Sequence, residues 1–223
     1  MAKLDTILFD LDGTLADTAP DLAQALNLVL AEKGRPTLSF EDIRPTVSHG
    51  GRAMIERGFG FGPEHEDYEK TRLRFLEIYL QNIAQHTRLF DGMNEFLKEI
   101  EKQGLKWGVV TNKPSWLTNP LMTQLALTSR AACIISGDSA ARAKPHPEPM
   151  IMACEQVGTE PERCVYIGDA QRDIDAGLVV GMRTLVALFG YLQEHDKPET
   201  WGADAMIDHP QEAWQYINQW RSE

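Results

Sequence analysis

The sequence has few of the features that mark secreted, membrane-spanning or metal-ribbon proteins. Its three cysteines, Cys133, Cys154 and Cys164, form no CxxC pair, so neither a disulfide framework nor a zinc ribbon is expected. No apolar run approaches the ~18 residues that a membrane-spanning helix needs. The first apolar run, residues 7–9, is interrupted by Asp10. This pattern predicts no signal peptide and a cytoplasmic location.

Positive charge is also scarce. Lys and Arg number 22 against 33 Asp and Glu, which gives a formal net charge of −11. Such a surface argues against nucleic acid as a partner, because nucleic-acid binding depends on basic patches. It would also repel an anionic substrate at long range. Any phosphate site must therefore be built locally, from a metal, a few basic side chains and backbone amides.

Short apolar runs that end in polar or glycine-containing turns alternate with helical patterns. Strands are predicted at residues 6–10, 107–110, 133–135, 164–167, 184–187 and 205–207, and helices at 93–103 and 147–157. This alternation predicts an α/β fold with a Rossmann-like doubly wound parallel sheet as its core. No GxGxxG follows the first strand, which argues against a dinucleotide binder. Ligands of such sheets bind beyond the carboxyl ends of the strands.

Residues 20–85 depart from the alternation, because they contain helical patterns and no convincing strand. The pattern predicts a first helix capped by Thr18, a short helix from Ser39 to Pro45, and further helices over 51–57 and 64–83. We therefore predict an all-helical cap domain inserted after the first strand. The predicted domains are an α/β catalytic core of residues 1–18 and 86–223, and a helical cap of residues 19–85.

The turn after the first strand places Asp10 and Asp12 close together beside a glycine. Two adjacent carboxylates are electrostatically costly unless a cation lies near them, and hard oxygen ligands are those that Mg²⁺ prefers. Asp169 ends another predicted strand, and Asp173 follows it by one helical turn. One carboxylate can attack phosphorus to form an acyl phosphate. The other can protonate the leaving alcohol and later accept a proton from water.

Two further residues at predicted strand ends suit the same chemistry. Thr111 offers a hydroxyl donor, and Lys144 offers the local positive charge that the acidic surface does not. Each signal alone has a plainer interpretation: a calcium loop or solvated turn for the DxDG segment, a surface lysine, a strand-ending hydroxyl, or an acid at a helix start. Their order at successive strand ends is what favours a catalytic site.

Four motifs together resemble the haloacid-dehalogenase-like superfamily, and within it the phosphoglycolate-phosphatase-type branch. They are Asp10-Leu11-Asp12-Gly13-Thr14-Leu15, Thr111-Asn112-Lys113, Lys144-Pro145, and Gly168-Asp169 through Asp173 to Ala176-Gly177. They follow in order over almost the whole chain. Ala170 departs mildly from many relatives, which have serine or aspartate at that position. The resemblance implies a Mg²⁺-dependent phosphomonoester hydrolase that forms a phospho-aspartate.

The resemblance also implies roles for individual residues. Asp10 would be the nucleophile, Asp12 the general acid and base, and Thr111 and Lys144 the groups that stabilise the phosphoryl group. Mg²⁺ would be held by the Asp10 carboxylate, the Asp12 backbone carbonyl and Asp169, with support from Asp173. The remaining expected substrate contacts are Gly13, Thr14, Asn112, Lys113, His49 and Arg52.

The substrate is expected to be a small phosphate ester, handled by a monomer or homodimer. Gly50 and Gly51 precede Arg52 at a helix start, which suggests an anion grip in the cap; the plainer interpretation is a turn with a solvent-facing arginine. Several stretches, including residues 107–114 and 201–204, resemble the bacterial N-acetylmuramic acid 6-phosphate phosphatases. That sugar is the alternative to phosphoglycolate. A phosphohexomutase and a non-catalytic binding protein are weaker alternatives.

Overall fold

The computed structural model describes residues 3–222, which form a six-stranded parallel sheet and a smaller two-stranded one. In chain order the strands are β1 (Thr6–Phe9), β2 (Ala16–Asp17), β3 (Arg88–Leu89), β4 (Lys106–Val110), β5 (Ile134–Ile135), β6 (Cys164–Gly168), β7 (Arg183–Ala187) and β8 (Ala205–Ile207). The large sheet has the order β5-β4-β1-β6-β7-β8, and all its neighbours are parallel. β1 therefore lies near the centre, between β4 and β6.

Helices connect the strands and cover both faces of the sheet. They are α1 (Ala19–Glu32), α2 (Phe40–Ile43), α3 (Gly50–Phe59), α4 (Tyr68–Gln81), α5 (Met93–Lys102), α6 (Ser115–Gln124), α7 (Glu148–Val157), α8 (Gln171–Val179) and α9 (Ala213–Ser222). Ile7 and Phe9 pack on one face with α5 and α9, whereas Leu8 packs on the other with α7. The predicted doubly wound α/β class is confirmed. Within residues 3–222, no helix combines the length and hydropathy needed to cross a membrane.

The regular elements between β2 and β3 are all helices, as the sequence predicts. Helices α1, α3 and α4 pack around their own apolar cluster, in which Leu26, Phe75 and Tyr79 are fully buried. The predicted helix ends shift by a few residues. α2 ends before Pro45, which lies inside a 3-10 turn over Arg44–His49 that leads into α3.

Two antiparallel strands that the sequence analysis missed join the ends of the helical segment. In β2 and β3, Ala16 pairs with Leu89 and Asp17 pairs with Arg88. Strands of two residues give almost no periodic signal, so only the pairing reveals them. The buried Asp21 carboxylate adds to this junction by accepting hydrogen bonds from the backbone N–H of Thr87, at 2.8 Å, and of the residue before it.

The predicted cap of the first helix is wrong. Thr18 precedes α1, but its side chain makes no capping hydrogen bond; its hydroxyl instead donates to Asp12 Oδ1 at 2.5 Å. The backbone of Thr18 is helical, with φ −94° and ψ −7°, whereas a capping residue needs an extended backbone to accept from the first helical N–H groups. Pro20 also lacks the N–H that a cap at this position would bind.

Candidate active site

Three buried carboxylates meet at the carboxyl edge of the sheet. Asp10 follows β1 and Asp169 follows the neighbouring β6, while Asp173 lies in the first turn of α8. Their oxygens lie within 4.8 Å of one another. Adjacent parallel strands end at the same edge, and Asp173 is oriented by a 3.1 Å hydrogen bond from the backbone N–H of Ala170. The structure thus brings together the acids that the sequence predicted to be neighbours.

Within the acidic cluster, the surroundings of Asp169 disfavour its ionised form. Burial, together with the charges of Asp10 and Asp173, raises the pKa of Asp169 to about 7. Its Oδ2 atom accepts hydrogen bonds from Ser48 Oγ at 2.7 Å and from the backbone N–H of Tyr191 at 2.8 Å. Its Oδ1 atom is buried and has no hydrogen-bond partner among the described residues. A bare carboxylate oxygen among three acids fits a hard divalent cation.

Lys144 lies beneath the cluster, and its side chain is completely buried. Its Nζ atom is 3.1 Å from Asp10 Oδ1 and 2.7 Å from Asp173 Oδ1, and it donates to the Tyr166 hydroxyl at 2.6 Å. The side chain of Asn112 fixes the lysine backbone through two hydrogen bonds, of 3.0 and 2.9 Å. The Asn112 side chain is therefore committed to holding Lys144 in place.

Asp12 lies in different surroundings from Asp10, although only one residue separates them. Its Oδ1 atom accepts hydrogen bonds from Thr18 and, at 2.9 Å, from Lys113 Nζ. The ammonium of Lys113 also lies 4.6 Å from the centre of the Tyr79 ring. Burial, the largest single influence, lowers the pKa of Lys113, but the charges of Asp12 and Tyr79 and the hydrogen bonds to them together raise it above its ordinary value. The Asp12 carboxylate is therefore held by a cation and does not belong to the cluster of Asp10, Asp169 and Asp173.

The next two residues of the acidic turn lie behind the carboxylates. Gly13 has a φ of +85°, and a Cβ added to it would lie 2.1 Å from Asp169 Oδ2. A side chain at this position would therefore displace the acid. Thr14 is fully buried. Both were predicted to contact substrate, but neither lines the cavity described next.

A cavity of about 380 Å³ lies between the sheet edge and helices of the inserted segment. The sheet side, here called the floor, is polar and consists of Asp10, Asp12, Thr111, Asn112, Lys113 and Arg172. The opposite side is here called the roof, and it consists mainly of residues of the inserted segment. Its lining residues are Leu22, Val47, Ser48, His49, Gly50, Gly51, Met54, Phe75, Leu76 and Tyr79, together with the neighbouring Pro114 and Leu117.

The predicted cap contacts divide into one residue that reaches the cavity and one that does not. His49 lines it, and burial together with the charge of Arg172 lowers the pKa of this histidine. Arg52 is not part of the lining: its side chain is 67% exposed and pairs with Glu56 at 2.7 Å. The i,i+4 spacing on α3 places the two charges side by side on the outer face.

The floor includes a cation that the sequence analysis overlooked. Arg172 stands in the first turn of α8, between Asp169 and Asp173, and donates to the Ser48 carbonyl at 2.6 Å. Its position one residue before a predicted metal-site acid, at the start of a helix that follows a strand, was the available signal. Because the motif of residues 168–177 matches metal-binding acids, the sequence analysis assigned no role to Arg172.

Comparison with known proteins agrees with this geometry. The model of the haloacid dehalogenase-like hydrolase family matches residues 7–187. An N-acetylmuramic acid 6-phosphate phosphatase of Pseudomonas putida is 44% identical, and the match covers 97% of each chain. A phosphoglycolate phosphatase of Xanthomonas campestris pv. campestris is 40% identical over 94% of each chain.

Solved structures agree with the sequence relatives. The crystal structure of a predicted phosphoglycolate phosphatase from Haemophilus somnus 129pt superimposes with a TM-score of 0.85 at 26% identity, covering 97% of this chain and 99% of that one. The sheet order, the strand-end carboxylates and these matches lead to one conclusion. The chain belongs to the haloacid dehalogenase-like hydrolases.

Proposed function

We propose that this phosphomonoester hydrolase is Mg²⁺-dependent, forms a phospho-aspartate on Asp10, and acts on a carboxylate-bearing sugar phosphate of the N-acetylmuramic acid 6-phosphate type. The observation that carries the proposal is the pair Asp10 and Asp12. Both carboxylates line one cavity, yet one lies among acids and Lys144 whereas the other is held by Lys113 and Thr18. Two acids in contrasting surroundings suit two different roles.

In the first step a carboxylate oxygen of Asp10 attacks phosphorus, and the bond from phosphorus to the ester oxygen breaks. The Asp12 carboxyl gives its proton to the departing alcohol. Lys144, 3.1 Å from Asp10, offsets negative charge on the aspartyl phosphate. Thr111 lines the same cavity, and in this proposal its hydroxyl donates to a phosphoryl oxygen.

In the second step the Asp12 carboxylate takes a proton from a water molecule. That water attacks phosphorus, the acyl phosphate bond breaks, and Asp10 leaves as a carboxylate together with inorganic phosphate. Hydrogen bonds from Thr18 and Lys113 keep the Asp12 carboxylate in one place during both proton transfers.

Members of this family generally use a divalent metal, and we propose that Asp10 and Asp169 hold Mg²⁺ together with the backbone carbonyl of Asp12, with support from Asp173. The three acids and the unpartnered Asp169 Oδ1 support this assignment. When bound, the cation neutralises charge on the phosphoryl oxygens. The turn that leads into α8 positions Asp169 and Asp173, since the backbone N–H of Ala170 donates to the Asp173 carboxylate.

The size and composition of the cavity favour the sugar phosphate. Its volume of about 380 Å³ falls within the roughly 300–1,000 Å³ typical of pockets for drug-sized ligands. The roof offers apolar side chains, among them Met54, Phe75 and Leu76. An amino sugar has ring carbons and methyl groups that can pack against such a surface, whereas phosphoglycolate has almost no apolar surface.

Phosphoglycolate is the second candidate, because curated relatives and the solved structure bear that name at 40% and 26% identity. The deciding experiment measures phosphate release from both esters with Mg²⁺ and with excess chelator, using Asp10→Asn as the blank. The proposal expects metal-dependent turnover that favours the sugar ester. Higher kcat/KM for phosphoglycolate would replace the substrate assignment, and undiminished turnover in Asp10→Asn would refute the covalent mechanism.

We also propose that residues 19–85 act as a mobile cap on a core of residues 1–18 and 86–223, of which 1, 2 and 223 lie outside the described residues. The β2–β3 pairing and the Asp21 carboxylate bring the two ends of this segment together, which supports a hinge there. A monomer or homodimer in the cytoplasm remains a prediction.

A further inference from the structure

Positive charge in the cavity comes from two of the described lining residues, Lys113 and Arg172, apart from the titratable His49. Lys113 is already paired with Asp12 at 2.9 Å. Lys144 lies beneath the floor, paired with buried acids, and is not part of the lining. The charge of Arg172 is thus the one that a substrate group can reach without displacing a direct partner.

The guanidinium of Arg172 is only partly engaged. One nitrogen, Nη2, donates to the Ser48 carbonyl at 2.6 Å, and within residues 3–222 the other N–H groups of this side chain have no hydrogen-bond partner. Arginine has a planar fork of donors that matches a carboxylate. The contact with Ser48 therefore fixes the position of the guanidinium and leaves donors available.

The segment that Arg172 contacts leads directly into α3. His49, Gly50 and Gly51 line the cavity in the segment that follows Ser48, and α3 begins there without a side-chain cap. The N–H of Gly50 is already engaged, since it donates to the Val47 carbonyl of the preceding 3-10 turn. The meeting line of floor and roof, defined by Arg172 and residues 48–51, thus depends on Arg172 as its fixed cation.

An ester that carries a carboxylate as well as a phosphate brings two anions to a site that already holds several acids. Asp10, Asp169 and Asp173 would repel the second anion, and the net charge of −11 gives no long-range compensation. A cation must therefore stand where the carboxylate binds. Arg52, which pairs with Glu56 on the outer face of α3, does not stand there.

We propose that Arg172 is a specificity-determining residue that binds the carboxylate of the substrate, in the role that the sequence suggested for Arg52. The inference rests on the proposed function, because it requires the phosphoryl group to be held at Asp10 while the rest of the ester extends towards the roof. A two-point, charge-assisted hydrogen bond from the guanidinium would select acids over neutral esters of the same size.

The test compares N-acetylmuramic acid 6-phosphate with N-acetylglucosamine 6-phosphate, which lacks the lactyl carboxylate. Arg172→Gln is expected to lower kcat/KM for the acidic sugar by about tenfold to a hundredfold, mainly through KM. The loss on the neutral sugar should stay within about threefold. Arg172→Lys, which keeps the charge but loses the fork, should fall between these limits. Arg52→Gln, the matched control, should change neither ester.

Equal losses on the two sugars would overturn the inference, since they would mean that Arg172 contacts the phosphoryl group or only holds the Ser48 loop. The metal dependence of the variants separates these outcomes further, because an arginine that merely balances the acids would shift the Mg²⁺ requirement for both sugars. If Arg172→Gln does not fold, Arg172→Lys carries the comparison. Phosphate release by the wild type from neither sugar would overturn the proposed substrate and this inference with it.

Discussion

The floor of the cavity consists of polar and charged side chains, whereas its roof is largely apolar. On the floor and directly beneath it, most of the charged groups that face one another are paired: Asp12 with Lys113, and Lys144 with Asp10 and Asp173, while Asn112 holds the Lys144 backbone. The polar contacts of the roof with the core are few and include those from Ser48 to Asp169 and from Arg172 to the Ser48 carbonyl.

This difference assigns chemistry to the paired charges of the floor, and selectivity to the roof and to Arg172, which lies where the two meet. Hydrogen-bonded charges in fixed positions stabilise charge that develops in a transition state without reorganising. Apolar packing, in contrast, adds affinity in proportion to the surface that a substrate offers. Substitutions of the paired charges on the floor should therefore change kcat for every ester, whereas substitutions in the roof should change KM for bulky esters alone.

The largest effect is expected for Asp10→Asn, which removes the proposed nucleophile. The neutral amide cannot attack phosphorus, so kcat should fall by roughly four to six orders of magnitude. The fold should persist, because Lys144 keeps its 2.7 Å pair with Asp173. Steady-state kinetics and thermal unfolding test both parts. A loss of less than about tenfold would contradict the assignment of the floor.

Asp12→Asn should rank second, with kcat lowered by about 10² to 10⁴ for all esters, because general acid and base catalysis is lost. Unfolding should also become easier by about 1–3 kcal/mol, since Lys113 loses its charged partner. Rapid-quench kinetics should show slow formation and slow hydrolysis of the aspartyl phosphate. Normal formation with slow hydrolysis alone would mean that Asp12 acts only on water.

The third prediction concerns Asp169 and pH. Its pKa is raised from 3.8 to about 7 in the folded chain, so the metal-free folded state binds a proton more tightly than the unfolded state. Stability from this group is full below about pH 4 and is lost as the pH rises through about 7. Without metal, the unfolding midpoint of the wild type should therefore fall relative to Asp169→Asn between pH 5 and pH 8.

Metal reverses that trend. Mg²⁺ requires the ionised carboxylate, so it should raise the wild-type midpoint more at pH 8 than at pH 6 and should raise that of Asp169→Asn little at either pH. Thermal unfolding with and without chelator measures both. An equal rise in Asp169→Asn would place the cation elsewhere.

The smallest effect is expected for Phe75→Leu, which changes the roof. Phe75 is fully buried in the helical cluster and lines the cavity, so its shortening should cost about 1–2 kcal/mol of stability. KM for the sugar phosphate should rise several-fold, with kcat almost unchanged. Phosphoglycolate, which cannot reach this ring, should show no change in KM. A parallel rise for both esters would remove the distinction between floor and roof.

Much of the fold could be predicted, because the strands of a buried parallel sheet have short, continuous apolar sequences. The six predicted strands are those of the large sheet, from Thr6–Phe9 to Ala205–Ile207. The acidic cluster was predictable for the same reason, since Asp10 and Asp169 end adjacent strands. Prediction failed for contacts that leave no periodic signal: the Thr18 hydroxyl donates to Asp12 within the acidic turn, and β2 pairs with β3 across the inserted segment.

The cationic residues show the limit most clearly. Arg52 and Arg172 each follow polar or glycine-containing turns at a helix start, and both could serve as an anion grip. The direction in which each helix face points depends on how α3 and α8 pack, and that packing directs Arg52 to Glu56 in solvent and Arg172 to the cavity. Spacing along one helix contains no information about which face meets a different element.

The sequence by itself determined the α/β class, the inserted helical segment and the acids at the strand ends, because these depend on local periodicity and on the rule that parallel strands end at one edge. Only the tertiary structure decided which charges pair, which arginine enters the cavity, and that the cavity measures about 380 Å³ and has an apolar side. Those properties arise from side chains brought together across long separations in the chain, where burial and charge, rather than order along the sequence, determine the partners.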